Sequence, residues 1–122
     1  MEQSSVSAAA HTRVAVLADD LIWSSRLRAA ASNAGAQPVP VKDAESIDAP
    51  FALIDLGGRE YDGVEAVRKA ASSGATVLAV CEHDDIGLRK QALGAGAKRV
   101  LSYNKMFGDG PGVITRLIEG TL

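Results

Sequence analysis

The sequence predicts an α/β domain built on an open, doubly wound parallel sheet of five strands. From Arg13 onward, short apolar runs alternate with longer segments of helical periodicity, and three of the five runs are apolar throughout. Strands that helices bury on both faces have this composition. Right-handed crossovers between such strands give the sheet order 2-1-3-4-5, with binding sites at the carboxyl ends of strands one and three.

The strands are predicted at residues 14–18, 38–41, 51–55, 76–81 and 99–103, and the longer helices at 21–34, 62–72, 85–93 and from 111 onward. Pro38 and Pro40 lack a ladder donor, so the second strand is expected at an edge. Helix ends are indicated by Gly35, Gly74 and the GAGA run at 94–97, and Pro111 suits the first turn of the last helix. Only KDAESIDAP separates strands two and three, so the second helix is expected to be short or absent.

Length and composition predict one folded domain at residues 13–122 after a disordered lead-in at residues 1–12. The chain has 122 residues, 47% of them hydrophobic, and a net charge of −2 without a basic run. We therefore expect no direct nucleic-acid binding. No apolar run is long enough for a signal peptide or a membrane span, and Cys81 is the single cysteine. These features predict a cytoplasmic protein.

Three aspartates follow strands one and three. Asp19 and Asp20 follow the first strand, and Asp55 ends the third, so the carboxylates are expected to converge. Like charges held together cost several kcal/mol unless a cation offsets them, and oxygen ligands suit Mg²⁺ or Mn²⁺. Asp55 would then be the nucleophile toward a phosphoryl donor. The competing interpretation is that Asp20 caps the first helix and Asp55 is a solvated strand end.

Residues 13 to about 120 resemble the receiver domains of two-component response regulators. Four motifs match. They are the acids of ADD at 18–20, Asp55 in FALIDLGG, the Asp-Gly pair at 62–63 and the Gly-Ala pair at 96–97. The resemblance implies the flavodoxin-like fold, with Asp55 as phospho-acceptor. It also implies Mg²⁺ held by Asp20, Asp55 and the carbonyl of Gly57, with Asp19 binding through water.

Several positions depart from the family pattern. Cys81 and Glu82 stand where the family has Thr or Ser followed by a small residue. Tyr103 stands at the position of the lysine that pairs with the phosphoryl group, and Lys105 would reach the site only through a two-residue bulge. The glycines at 57–58 predict a looser loop than the family norm. These departures indicate an atypical receiver, or pseudo-receiver.

The sequence therefore predicts a signal-transduction module that acts through protein–protein interaction and is not an enzyme. The resemblance implies a histidine kinase or an output domain as partner, leaves a homodimer open and implies no membrane association. Phosphorylation of Asp55 with Mg²⁺, as in a phosphorelay, stays open. Two alternatives are a small metal-binding α/β enzyme and a purely structural or oligomerisation domain. No Gly-rich phosphate loop follows strand one, which argues against dinucleotide and P-loop sites.

Overall fold

The computed structural model describes residues 12–122, so the predicted lead-in lies outside the described residues except for Thr12. The strands are β1 (Arg13–Leu17), β2 (Gln37–Val41), β3 (Phe51–Asp55), β4 (Thr76–Cys81) and β5 (Arg99–Ser102). The helices are α1 (Leu21–Asn33), α2 (Gly63–Ser72), α3 (Ile86–Ala95) and α4 (Tyr103–Glu119). No helix in this part of the chain is long and apolar enough to cross a membrane.

The five strands form one parallel sheet in the order β2-β1-β3-β4-β5, which confirms the predicted fold class. The proline-containing strand β2 lies at an edge, as expected. β1 pairs directly with β3, and Leu17 lies opposite Ile54. The carboxyl ends of these two inner strands are therefore neighbours.

Alternate residues of the central strands supply two cores, one on each face of the sheet. Leu53 points to the face covered by α1 and α4, where it belongs to a cluster with Leu27 and Ile114. Ile54, the next residue, points to the opposite face and clusters with Val67 of α2. The two-residue period of a strand accounts for this division, and it explains why the run is apolar throughout.

The connection from β2 to β3 contains a single 3-10 turn (Ala44–Ser46) in place of a full helix. Asp43 caps this turn, because its Oδ1 accepts a hydrogen bond from the backbone N–H of Ser46 at 2.9 Å. Glu45 of the turn forms an ion pair with Lys69 of α2. The expectation of a short or absent second helix is confirmed.

The last helix begins at Tyr103, not at Pro111, and the expectation that residue 103 ends a strand is wrong. Ser102 caps α4, since its hydroxyl oxygen accepts the N–H of Lys105 at 3.1 Å. The Gly-Pro-Gly segment marks an interruption inside the helix, where Asp109 has non-helical angles of φ −139° and ψ 25°. The proline thus lies at the beginning of the second part of a kinked helix. Because Ser102 caps the first part, the helix begins about two turns earlier in the chain than predicted.

Tyr61 holds the loop between β3 and α2, whose two glycines predict a looser loop than the family norm. The Tyr61 hydroxyl donates to the carbonyl oxygen of Asp55 at 2.6 Å and lies 3.2 Å from that of Leu17. Tyr61 therefore spans the ends of β3 and β1. A Cβ at position 58 would lie 2.1 Å from the tyrosine ring, so Gly58 is needed for this close approach.

We expect Gly58→Ala to lower the free energy of unfolding by about 1–3 kcal/mol, because the new methyl group displaces the Tyr61 ring from its carbonyl partners. Urea unfolding followed by circular dichroism measures the change. The matched control is Gly87→Ala in α3, where an added Cβ meets no atom within 4 Å. The control should be neutral or stabilising by up to about 1 kcal/mol. Equal stability of the two variants would contradict the role given to Gly58.

Candidate functional site: an acidic cleft beside a buried aspartate

The ends of β1 and β3 bring together the acids that the sequence singled out. Asp19 and Asp20 are exposed on the turn after β1, whereas Asp55 at the end of β3 is only 2% exposed. An open cleft of about 480 Å³ lies at this edge. It is lined by Asp19, Asp20, Gly57, Arg59 and Glu60. The site is therefore a surface cleft with a buried carboxylate beside it.

Asp55 receives two hydrogen bonds on the same carboxylate oxygen. The Tyr103 hydroxyl donates to Oδ1 at 2.5 Å, and the backbone N–H of Gly57 donates to Oδ1 at 2.9 Å. Burial raises the pKa of the Asp55 carboxyl, and the charges of Asp20 and Asp19 act in the same direction. The two donors oppose this rise, because they stabilise the ionised form.

The exposed acids Asp19 and Asp20 accept hydrogen bonds from nearby backbone N–H groups. Asp19 Oδ2 accepts the N–H groups of Arg59 at 2.8 Å and Glu60 at 2.6 Å, which ties the loop after β3 to the end of β1. Asp20 is the N-cap of α1, and its Oδ1 accepts the N–H of Trp23 at 2.9 Å. The capping role that the sequence left as an alternative is therefore present for Asp20.

The acids do not form a ready metal site. Residues 12–122 contain no group of three acidic, histidine or cysteine side chains placed to hold a metal ion. Carboxylate oxygens suit Mg²⁺, but Asp19, Asp20 and Asp55 each have one oxygen engaged by protein donors. Each acid keeps its second oxygen without a hydrogen bond from the described residues, but the three side chains are not grouped closely enough to hold an ion together. The ligand set of Asp19, Asp20, Asp55 and Gly57 stays a prediction.

Tyr103 connects the buried carboxylate to α1. Its ring centroid lies 4.6 Å from that of Trp23, and its hydroxyl reaches Asp55 from the first position of α4. A Cβ at position 57 would lie 2.7 Å from the Tyr103 hydroxyl oxygen, so this position requires glycine. Burial first, and then the hydrogen bond to Asp55, raise the pKa of the Tyr103 hydroxyl, which keeps it a donor.

The sequence marked Tyr103 only as a departure from a family pattern and missed its contact with Asp55. The residues are 48 positions apart in the chain. Their meeting depends on where α4 begins, and the Ser102 cap was the available signal. Ser102 falls inside the predicted strand at 99–103, and reading it as an N-cap would have ended that strand early and made the following residue helical.

Among the described residues, the side chains at three other predicted positions form no hydrogen bond or ion pair with Asp55. These positions are Cys81, Glu82 and Lys105. The buried Cys81 thiol donates to the carbonyl oxygen of Glu82 at 3.4 Å, and burial raises its pKa. The Glu82 side chain is exposed. Lys105 lies in the first turn of α4, where its Nζ is 3.5 Å from Oδ2 of Asp109.

The sequence matches no protein-family model and no curated protein. Solved structures nevertheless share the fold. A CheY-like response regulator receiver domain protein from Methanospirillum hungatei JF-1 has 18% identity and a TM-score of 0.77, over 91% of this chain and 96% of that one. A BeF3-activated DrrB receiver domain has 15% identity and a TM-score of 0.77, over 89% of this chain and 98% of that one.

A third similar structure is a response regulator protein from Burkholderia pseudomallei with a phosphorylated aspartic acid, a calcium ion and citrate. It has 16% identity and a TM-score of 0.69, over 89% of this chain and 70% of that one. Likeness at these identities is a likeness of fold. The chain therefore has the fold of response regulator receiver domains, as its sequence predicted.

Proposed function

We propose that this chain is a receiver-like signalling module that acts by binding a protein partner, with Tyr103 in place of a phosphoryl-binding lysine. The observation that carries the proposal is the hydrogen bond from the Tyr103 hydroxyl to Oδ1 of Asp55. It occupies the carboxylate oxygen from within the protein. The receiver fold of the chain supports a role in signal transduction.

The groups around Asp55 are poorly suited to a phosphoryl group. A phosphorylated side chain carries a charge of about −1.5 to −2 at pH 7, which a cation normally offsets. Tyr103 is a neutral donor, and the Cys81 thiol is a weak donor already directed to a backbone carbonyl. The exposed acids Asp19 and Asp20 add negative charge nearby. These features favour a pseudo-receiver over a phosphorylated switch.

Apolar side chains on the surface of α1 and α4 support protein binding. Leu21, Ile22 and Phe107 are 81%, 61% and 66% exposed. The Arg26 guanidinium carbon lies 4.4 Å from the ring centre of Phe107 and 5.2 Å from that of Trp23. Arginine and aromatic residues are enriched among the residues that dominate protein interfaces. A histidine kinase or an output domain is the class of partner we propose for this surface.

Phosphoryl acceptance by Asp55 with Mg²⁺ is the second candidate function. The acidic cleft opens beside this residue and is lined by Asp19, Asp20 and Gly57, which supports it. The acids are not grouped around a metal position in this arrangement, so ion binding would require them to move closer together. The two candidates therefore differ in whether metal and a phosphoryl analogue bind at the cleft.

Titration with Mg²⁺ and beryllofluoride distinguishes these candidates, with the fluorescence of Trp23 as the readout. Trp23 is the single tryptophan and stacks on Tyr103, so displacement of the tyrosine from Asp55 would change its emission. For a pseudo-receiver we expect no saturable response to beryllofluoride in the presence of Mg²⁺.

Asp55→Asn is the control for this titration, because asparagine keeps an oxygen acceptor for Tyr103 and removes the phospho-acceptor. A saturable beryllofluoride response in the natural sequence that disappears in Asp55→Asn would establish the phosphorylated receiver instead. A response to Mg²⁺ alone would show that the acids rearrange around the ion, without phosphoryl chemistry.

We expect Tyr103→Phe to lower the free energy of unfolding by about 1–3 kcal/mol, because it leaves a buried carboxyl group without one of its hydrogen-bond donors. A double-mutant cycle with Asp55→Ala, measured by urea unfolding at pH 7, isolates the pair. The coupling energy should be at least about 1 kcal/mol. If the effects of the two substitutions simply add, Tyr103 does not hold Asp55.

A further inference from the structure

A second cavity, of about 360 Å³, opens at the carboxyl ends of β1 and β2. The apolar and aromatic residues that line it are Leu17, Ala18, Val41 and Tyr61, of which Leu17 is only 1% exposed. Only the 3-10 turn follows β2, so no full helix covers this corner of the sheet. The volume is near the lower end of the range for ligand pockets, about 300–1,000 Å³, which indicates a small ligand.

Two opposite charges border this apolar space without pairing. Lys42 and Glu60 both line the cavity and are both exposed. Neither takes part in an ion pair within residues 12–122. Asp19 lines the same cavity and has one carboxylate oxygen, Oδ2, bound to backbone N–H groups. Its other oxygen accepts no hydrogen bond from the described residues.

We propose that this cavity binds an apolar α-amino acid. The ammonium group of the ligand pairs with Glu60 and the second oxygen of Asp19, and its carboxylate pairs with Lys42. The apolar side chain then packs against Ala18 and Val41. A zwitterion matches both charges, whereas a simple amine or a simple carboxylic acid leaves one of them without a partner.

Such a ligand would touch residues that hold the loop beside Asp55. Tyr61, in the cavity wall, donates its hydroxyl to the carbonyl oxygen of Asp55. Asp19 accepts the N–H groups at 59 and 60. A bound amino acid would therefore stabilise this loop. The inference does not depend on the proposed signalling function, because binding is measured directly.

Calorimetric titration of the full chain with L-leucine tests the proposal. Saturable binding of leucine is expected. Each of three analogues should bind with an affinity lower by a factor of about ten or more. These are 4-methylpentanoate without the ammonium group, 3-methylbutylamine without the carboxylate, and glycine without the side chain. No saturation by leucine up to about 10 mM, or equal binding of leucine and the analogues, would overturn the proposal.

Variants locate the binding in the cavity. Lys42→Met and Glu60→Gln should each weaken leucine binding about tenfold, since each leaves one ligand charge without a partner. Lys98→Met and Glu119→Gln change exposed residues outside the cavity and serve as matched controls. Circular dichroism confirms that each variant is folded. If the cavity variants bind leucine like the controls, the ligand does not occupy this site.

Discussion

The carboxyl group of Asp55 lies almost fully buried at the end of a central strand, and hydrogen bonds from two other parts of the chain stabilise it. A buried carboxylate without hydrogen-bond donors is costly, so donors must come from the local backbone or from distant segments. Here the backbone N–H of Gly57 provides one and the Tyr103 hydroxyl the other. The absence of a side chain at Gly57 leaves room for the Tyr103 hydroxyl, and α4 begins where that hydroxyl reaches Asp55.

Tyr103 supplies Asp55 with a donor that differs from a lysine in charge and rigidity. A lysine would bring a mobile positive charge to the carboxylate, whereas tyrosine brings a neutral donor on a rigid ring that stacks on Trp23. The aromatic contact extends through Arg26 to the exposed Phe107. A continuous set of contacts thus joins the buried aspartate to the surface of α1 and α4.

The fold was largely predictable, because it depends on local patterns. Apolar runs, helix-ending glycines and the short connection after β2 each act within a few residues, and the strand order follows from the handedness of crossovers. The start of α4 was misplaced, since Pro111 is a strong signal and the Ser102 cap a weak one. The contacts of the glycines at 57–58 were missed for another reason. These glycines accommodate the rings of Tyr103 and Tyr61, which a sequence does not place there.

The sequence alone determined the five-stranded parallel sheet, the edge position of β2 and the placing of Asp19, Asp20 and Asp55 at one edge. These properties depend on the period of apolar residues and on chain topology. Only the tertiary structure decided how those acids are used. Hydrogen bonds join Asp55 to Tyr103 and Asp19 to the loop after β3, across 48 and about 40 positions of the chain. Such pairings depend on side-chain directions in the folded protein, and no local pattern encodes them.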